Sequence, residues 1–168
     1  NKMKRLLIIV MLVLPLCVAA QKIGVVDSKA IFEAMPEKVE AEKQLNDLLE
    51  QYKAENTRLE KEFNQKYGDF QALPANTAKS IKERRMQEIQ ENRHKIASYQ
   101  VMVKQDMDTK KAEVLAPIKA KLQAAIDSVS TQGDYMLVLD ISSTPVAFKS
   151  AKVVDITAEV KTALGIAK

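Results

Sequence analysis

Apolar residues recur at two different periods along this chain, and the change from one to the other divides it. Ile23-Gly24-Val25-Val26-Asp27 is a short β-branched run ending on an aspartate, with Ser28 placed to cap the next element. It reads as a strand feeding a short helix over about Lys29 to Met35. Pro36 comes next, then Glu37, Glu40 and Glu42. Proline suits a first helical turn and carboxylates suit the positive end of the helix dipole, so a second helix begins there. From Val39 to Leu73 the apolar positions repeat every seven residues. Leu49, Asn56, Phe63 and Phe70 lie on one seam, and Leu45, Tyr52, Leu59 and Leu73 on the other, broken by Asn56 in the first and Lys66 in the second. So narrow a stripe buries against one partner helix, and an Asn within it fixes register at some cost in stability. About 37 residues at 1.5 Å each extend roughly 55 Å, more than a small domain spans, so the segment projects.

Leu73-Pro74-Ala75-Asn76-Thr77 is the clear break, where proline ends the helix and Asn76 or Thr77 caps the next. Met86, Ile89, Ile96, Val103, Met107 and Val114 then continue a heptad-like stripe, interrupted by Arg93, Gln100 and Lys110. The two stripes zip as an antiparallel pair. Pro117 removes one backbone donor and is expected to kink the returning helix, which resumes through Ile118, Leu122, Ile126 and Val129 and stops at Gly133. Tyr135-Met136-Leu137-Val138-Leu139-Asp140 is apolar on both faces and reads as a fully covered strand. After a turn at Ser142-Ser143-Thr144-Pro145, Val146-Ala147-Phe148 and Lys152-Val153-Val154-Asp155 supply one or two further strands. Thr157 caps a last helix that runs to Leu164, before Gly165.

The fold class expected is α+β: a long antiparallel helical hairpin, a coiled-coil arm over 36–116, inserted between terminal strands that build a small body from 21–35 and 117–168. A sheet of three or four strands from one chain keeps open edges and little core, so several copies are expected to share it. A charge at Leu137 or Leu139 should then leave largely unfolded monomers.

The first twenty residues fall outside this scheme. Lys4 and Arg5 precede an apolar run from Leu6 to Cys17, and Val18-Ala19-Ala20 presents the small residues that a signal peptidase reads. The segment 1–20 is expected to be a secretory signal, cleaved after Ala20. The run is shorter than the roughly 20 apolar residues of a spanning helix, and bulky Leu16 before Cys17 argues against lipid attachment. Removing Lys2, Lys4 and Arg5 lowers the 26 basic side chains by 3 to 23, against 22 acidic ones, so the basic balance of the whole chain does not argue for nucleic acid. Cys17, the only cysteine, leaves as well, and export without a disulfide points to a bacterial periplasm. Four Gly, no Trp and 5% aromatics beside 29% charged residues suit long helices better than a large core.

Little chemistry is on offer. Asp27, Asp140 and Asp155 each close an apolar run, which admits a carboxylate site for metal or acid–base work but favours strand termination and helix capping. His94, the only histidine, sits among charged residues of the returning helix and reads as solvated. No Gly-rich loop followed by Lys is present to cradle a phosphate. No catalytic residue, metal or cofactor is expected, and therefore no enzyme.

The turn is locally basic. Lys79, Lys82, Arg84 and Arg85 crowd into seven residues with Glu83 as the only acid, whereas 36–116 balances at fifteen charges of each sign. This tip reads equally as a solvated helix face or as contact with an acidic client or a lipid or lipopolysaccharide headgroup. Nucleic acid is disfavoured, since no aromatic residue interleaves the basic run. Along the arm, Tyr67, Phe70, Met86, Tyr99, Met102 and Met107 supply flat or flexible apolar groups that either fill the seam or repack against varied partners.

The signal segment, Ile23-Gly24-Val25-Val26-Asp27, the hairpin, Ala116-Pro117-Ile118, Gly133-Asp134-Tyr135 leading into Leu137-Val138-Leu139-Asp140, and Asp155-Ile156-Thr157 with Glu159-Val160 together resemble the Skp/OmpH family of periplasmic chaperones, over essentially the whole mature chain. The resemblance implies a jellyfish-like homotrimer, with a shared β-barrel body and three hairpins around a cavity. It implies an ATP-independent holdase that keeps unfolded outer-membrane β-barrel proteins from aggregating after export. Ile23, Val25, Leu137, Leu139, Phe148 and Val153 become the expected oligomerisation surface and the arm the client surface. The alternative is a structural coiled-coil adaptor of the cell envelope that binds one folded partner.

Overall fold

The structure is a computed structural model that describes residues 22–166, so the expected signal segment and its expected cleavage point lie outside the described residues. Strand β1 (Lys22–Val26) leads into α1 (Ser28–Ala34). Helices α2 (Pro36–Gln71) and α3 (Lys79–Gln132) then form the antiparallel hairpin, and β2 (Tyr135–Asp140), β3 (Val154–Asp155) and α4 (Thr157–Ala163) complete the chain. Terminal strands thus flank an inserted two-helix arm, an α+β arrangement.

Pro36 opens α2 with Glu37 in its first turn, where a missing N–H is harmless and a carboxylate is favoured. The half-buried and buried positions of α2 include Leu45, Leu49, Tyr52, Asn56, Leu59 and Phe63, which are both seams read from the sequence. Helix α3 departs on one of its seams. Its inward face runs through Ile89, Asn92, Ile96, Tyr99, Val103 and Met107, which leaves Arg93, Gln100 and Lys110 on the exposed flank. Helix α3 continues through Pro117 for its 54 residues; Ile118 and Leu122, buried just beyond, offset the backbone bond that the proline cannot make. Neither Asn76 nor Thr77 caps α3. Ala78 stands at that position without a side-chain bond, while the Thr77 N–H closes a turn on the Pro74 carbonyl at 3.0 Å.

Beyond the arm, α3 enters the body. Ile118 and Leu122 pack there with Val26, Ile31, Met35 and Val160, so the small core is built by both chain ends around the root of the hairpin. The sheet has three strands in the order β2-β1-β3, both pairs parallel. Lys22 pairs with Tyr135 and Ile23 with Leu137, which leaves Met136 as one extra residue in β2. This bulge lets Tyr135 and Val138 both turn toward the core. Leu137 and Leu139 face the other way, 48% and 42% exposed, so the strand expected to be fully covered is bare on one face within a single chain. Val146-Ala147-Phe148 forms no strand. The run is short and comes after Pro145, which withholds a ladder donor. The strands of one chain therefore pair among themselves, and β2 and β3 remain open edges.

Candidate functional site

The three strand-end carboxylates are joints of the body. Asp27, not Ser28, caps α1, accepting the Ala30 N–H at 2.8 Å. Ser28 instead donates its N–H to Asp140 at 3.2 Å and its hydroxyl to the same carboxylate. Burial alone would raise the Asp140 carboxyl, but the Ser28 hydroxyl and then Ser142 outweigh it and hold it below its ordinary value. Asp155 is likewise held low, by Thr157 through its hydroxyl and backbone N–H. Thr157 does not cap its own helix; its hydroxyl accepts the Asp27 N–H at 3.0 Å and so links α4 to the β1–α1 corner. Among the described residues no three His, Cys, Asp or Glu side chains gather as a metal-binding group. His94 is exposed on α3.

The arm is where apolar side chains meet solvent. Tyr67 is 44% exposed, Met86 38% and Met102 48%, with Ile81 and Val101 exposed beside them, whereas Phe70, Tyr99 and Met107 are half-buried in the seam. Tyr67 stacks on Phe63 at 6.1 Å between centroids, and Tyr99 meets Tyr52 edge to face at 6.4 Å. Hydrogen bonds cross the arm at the same level. The Tyr52 hydroxyl donates to Asp106, which raises the phenol above its ordinary value, and Gln100 donates to Asn56 at 3.3 Å. Leu49, Tyr52, Tyr99 and Val103 line an open groove of about 390 Å³ there.

The basic tip is partly neutralised. Arg84 and Arg85 both reach Glu88 at 3.1 Å, Lys79 lies 3.6 Å from Glu83, and Lys82 donates to the Ala75 carbonyl at 2.9 Å. At the opposite end of the molecule, the outer sheet face and the segment after β2 present Ile23, Leu137, Leu139 and Phe148, the last 84% exposed. Val153 is half-buried, and Val25 is enclosed within the chain at 1% exposure.

A family model described as Outer membrane protein (OmpH-like) matches residues 22–164. The chain belongs to the OmpH-like family. No curated protein matches it. Among solved structures it is similar to the crystal structure of a candidate outer membrane chaperone (OmpH-like) from Caulobacter crescentus CB15, at 16% identity and a TM-score of 0.72, over 86% of this chain and 83% of that one. At such identity the likeness is one of fold.

Two features of this OmpH-like chain escaped the sequence reading. Asn92 is 4% exposed and its Oδ1 has no hydrogen-bond partner. Its spacing was the available signal, because Asn92 stands three residues after Ile89 and four before Ile96, on the same helical face. The second is a clamp on Tyr135. Lys22 Nζ lies 4.1 Å from the centre of that ring and donates to the Gly133 carbonyl at 2.9 Å. A Cβ at Gly133 would stand 2.3 Å from the ring, and one at Gly24 3.1 Å away, which explains two of the glycines.

Proposed function

We propose that this OmpH-like chain is an ATP-independent holdase of the bacterial periplasm that binds unfolded outer-membrane β-barrel proteins and prevents their aggregation. The observation that carries the reading is the arm: a two-helix projection on which Tyr67, Met86, Val101 and Met102 are exposed. Flexible and flat apolar groups spread along a rigid support make many weak contacts, and such contacts hold an unfolded chain without selecting one conformation. The fold shared with a candidate outer membrane chaperone supports the same reading.

The working unit is proposed to be a homotrimer, in which Ile23, Leu137, Leu139 and Phe148 are covered by neighbouring copies and the body, 21–35 with 117–168, becomes a shared barrel. Lys79 and Arg84, the most exposed tip cations at 90% and 82%, are the groups proposed to touch acidic segments or headgroups. Export entails removal of 1–20, so sequencing the secreted protein should give Gln21 as its first residue.

Purified protein lacking 1–20 should slow the aggregation of a urea-unfolded outer-membrane protein on dilution, with no nucleotide added. Aggregation that proceeds undelayed at a molar excess of this chain would remove the holdase reading and leave the envelope adaptor. Joint replacement of Tyr67, Met86 and Met102 by Ser should weaken the protection while helix content stays constant.

A further inference from the structure

We propose that cleavage after Ala20 turns Gln21 into a modification site, where the terminal glutamine closes to a pyroglutamate lactam and seals the start of β1. Gln21 becomes the first residue of the mature chain by the export proposed above, on which the modification depends. Gln21 itself lies outside the described residues, but the segment after it is described from its first residue. Strand β1 begins at Lys22 and is the middle strand of the sheet, bonded to β2 on one side and β3 on the other. The second residue of the mature chain is therefore already a ladder residue, paired with Tyr135. No spacer separates the new terminus from the body.

Lys22 matters at that place. Its Nζ donates to the Gly133 carbonyl at 2.9 Å and lies 4.1 Å from the centre of the Tyr135 ring, so it ties the start of β1 to the entry of β2. Neither a carbonyl nor a ring neutralises the ammonium. A free α-ammonium on Gln21 would add a second positive charge at the adjoining residue, whereas a lactam nitrogen carries none. A free amine is also what an aminopeptidase grips. Trimming would take Gln21 first, Lys22 second and then Ile23, which pairs with Leu137. The lactam denies the first of these steps and so protects the central strand.

The reaction is internal to one residue. The neutral α-amine attacks the side-chain amide carbon Cδ. The N–Cδ bond forms, the Cδ–Nε2 bond breaks, and the departing nitrogen takes one proton from the amine and leaves as ammonia. No oxidant, reductant or second substrate is consumed. An α-amine titrates near pH 8, so at neutral pH about a tenth of it is in the attacking form. Closing a five-membered ring presents the carbonyl to it at high effective concentration. Asparagine, one methylene shorter, would have to close a four-membered ring.

The intact mass of the mature protein, isolated from the cells that make it, tests this. Its first peptide is sequenced by tandem mass spectrometry, because a lactam blocks stepwise degradation. Residues 21–168 lighter by one ammonia, about 17 Da, with the loss localised to Gln21, is the expected result. Gln21→Asn recovered in the same way should show its full mass, and a broad-specificity aminopeptidase should remove its first residue while the unaltered chain keeps its own. A chain that begins at Gln21 with its full mass would overturn the modification and leave the proposed export standing. A chain that begins elsewhere would overturn both. An ammonia loss that is absent at isolation and accrues only in storage, or equal trimming of the two proteins, would also overturn the seal.

Discussion

Tyr135 shows how much of the body hangs on one ring. It lies over Gly24 and Gly133, under the Lys22 ammonium, and inward only because Met136 is bulged out of the strand. Gly133→Ala should cost about 1–3 kcal/mol by driving a methyl into that ring, measured by urea unfolding with helix content as the signal. In the Tyr135→Ala background the same change should cost less than it does alone, because the clash is gone. Asp140 and Asp155 carry a pH dependence. Both are held below their ordinary value in the folded chain, so over that interval the unfolded chain binds more protons and stability rises with pH. Their contribution is complete above about pH 5 and is lost progressively as the pH falls through the ordinary and then the lowered values. Stability measured against pH should therefore decline on the acid side, and Asp140→Asn should flatten part of that decline.

At the scale of elements, the arm is two helices held along a stripe and not a layer of a domain. Leu59, 1% exposed, is the one apolar side chain fully enclosed in the outer part of α2, so Leu59→Ala should lower arm stability by about 2–4 kcal/mol, read by thermal loss of helix. Tyr52→Phe removes an exposed bond to Asp106 and should cost less than about 1 kcal/mol in the same measurement. The contrast arises from where each group goes on unfolding. Water satisfies a freed hydroxyl, but nothing replaces the packing of a leucine. The same reasoning explains why α3 tolerates Pro117: one lost bond is small beside Ile118 and Leu122 buried just beyond it.

For the whole molecule, one chain closes its own hydrogen-bonded sheet yet leaves an apolar face and two edges open. This changes what a charge at the proposed assembly face should do. Leu137→Asp points into solvent from strands already paired within the chain, so it should lower the mass seen by light scattering to that of a single copy while leaving the helix signal intact. Unfolded monomers, the outcome for a sheet that needs several copies to form, should not appear. The seven-residue spacing of Leu45, Tyr52 and Leu59, and of Leu49, Asn56 and Phe63, determined by itself that α2 is one half of a projecting pair, because helical periodicity is a local property of the chain. Pro36 and Gly133 marked helix ends for the same reason. Tertiary structure decided the remainder. Whether Ser28 or Asp27 caps α1, whether Arg93 or Asn92 faces the seam, and which side of β2 is covered all depend on partners over a hundred residues away or on another helix. No local pattern encodes those distances, so they became fixed only when the two ends of the chain met around the root of the arm.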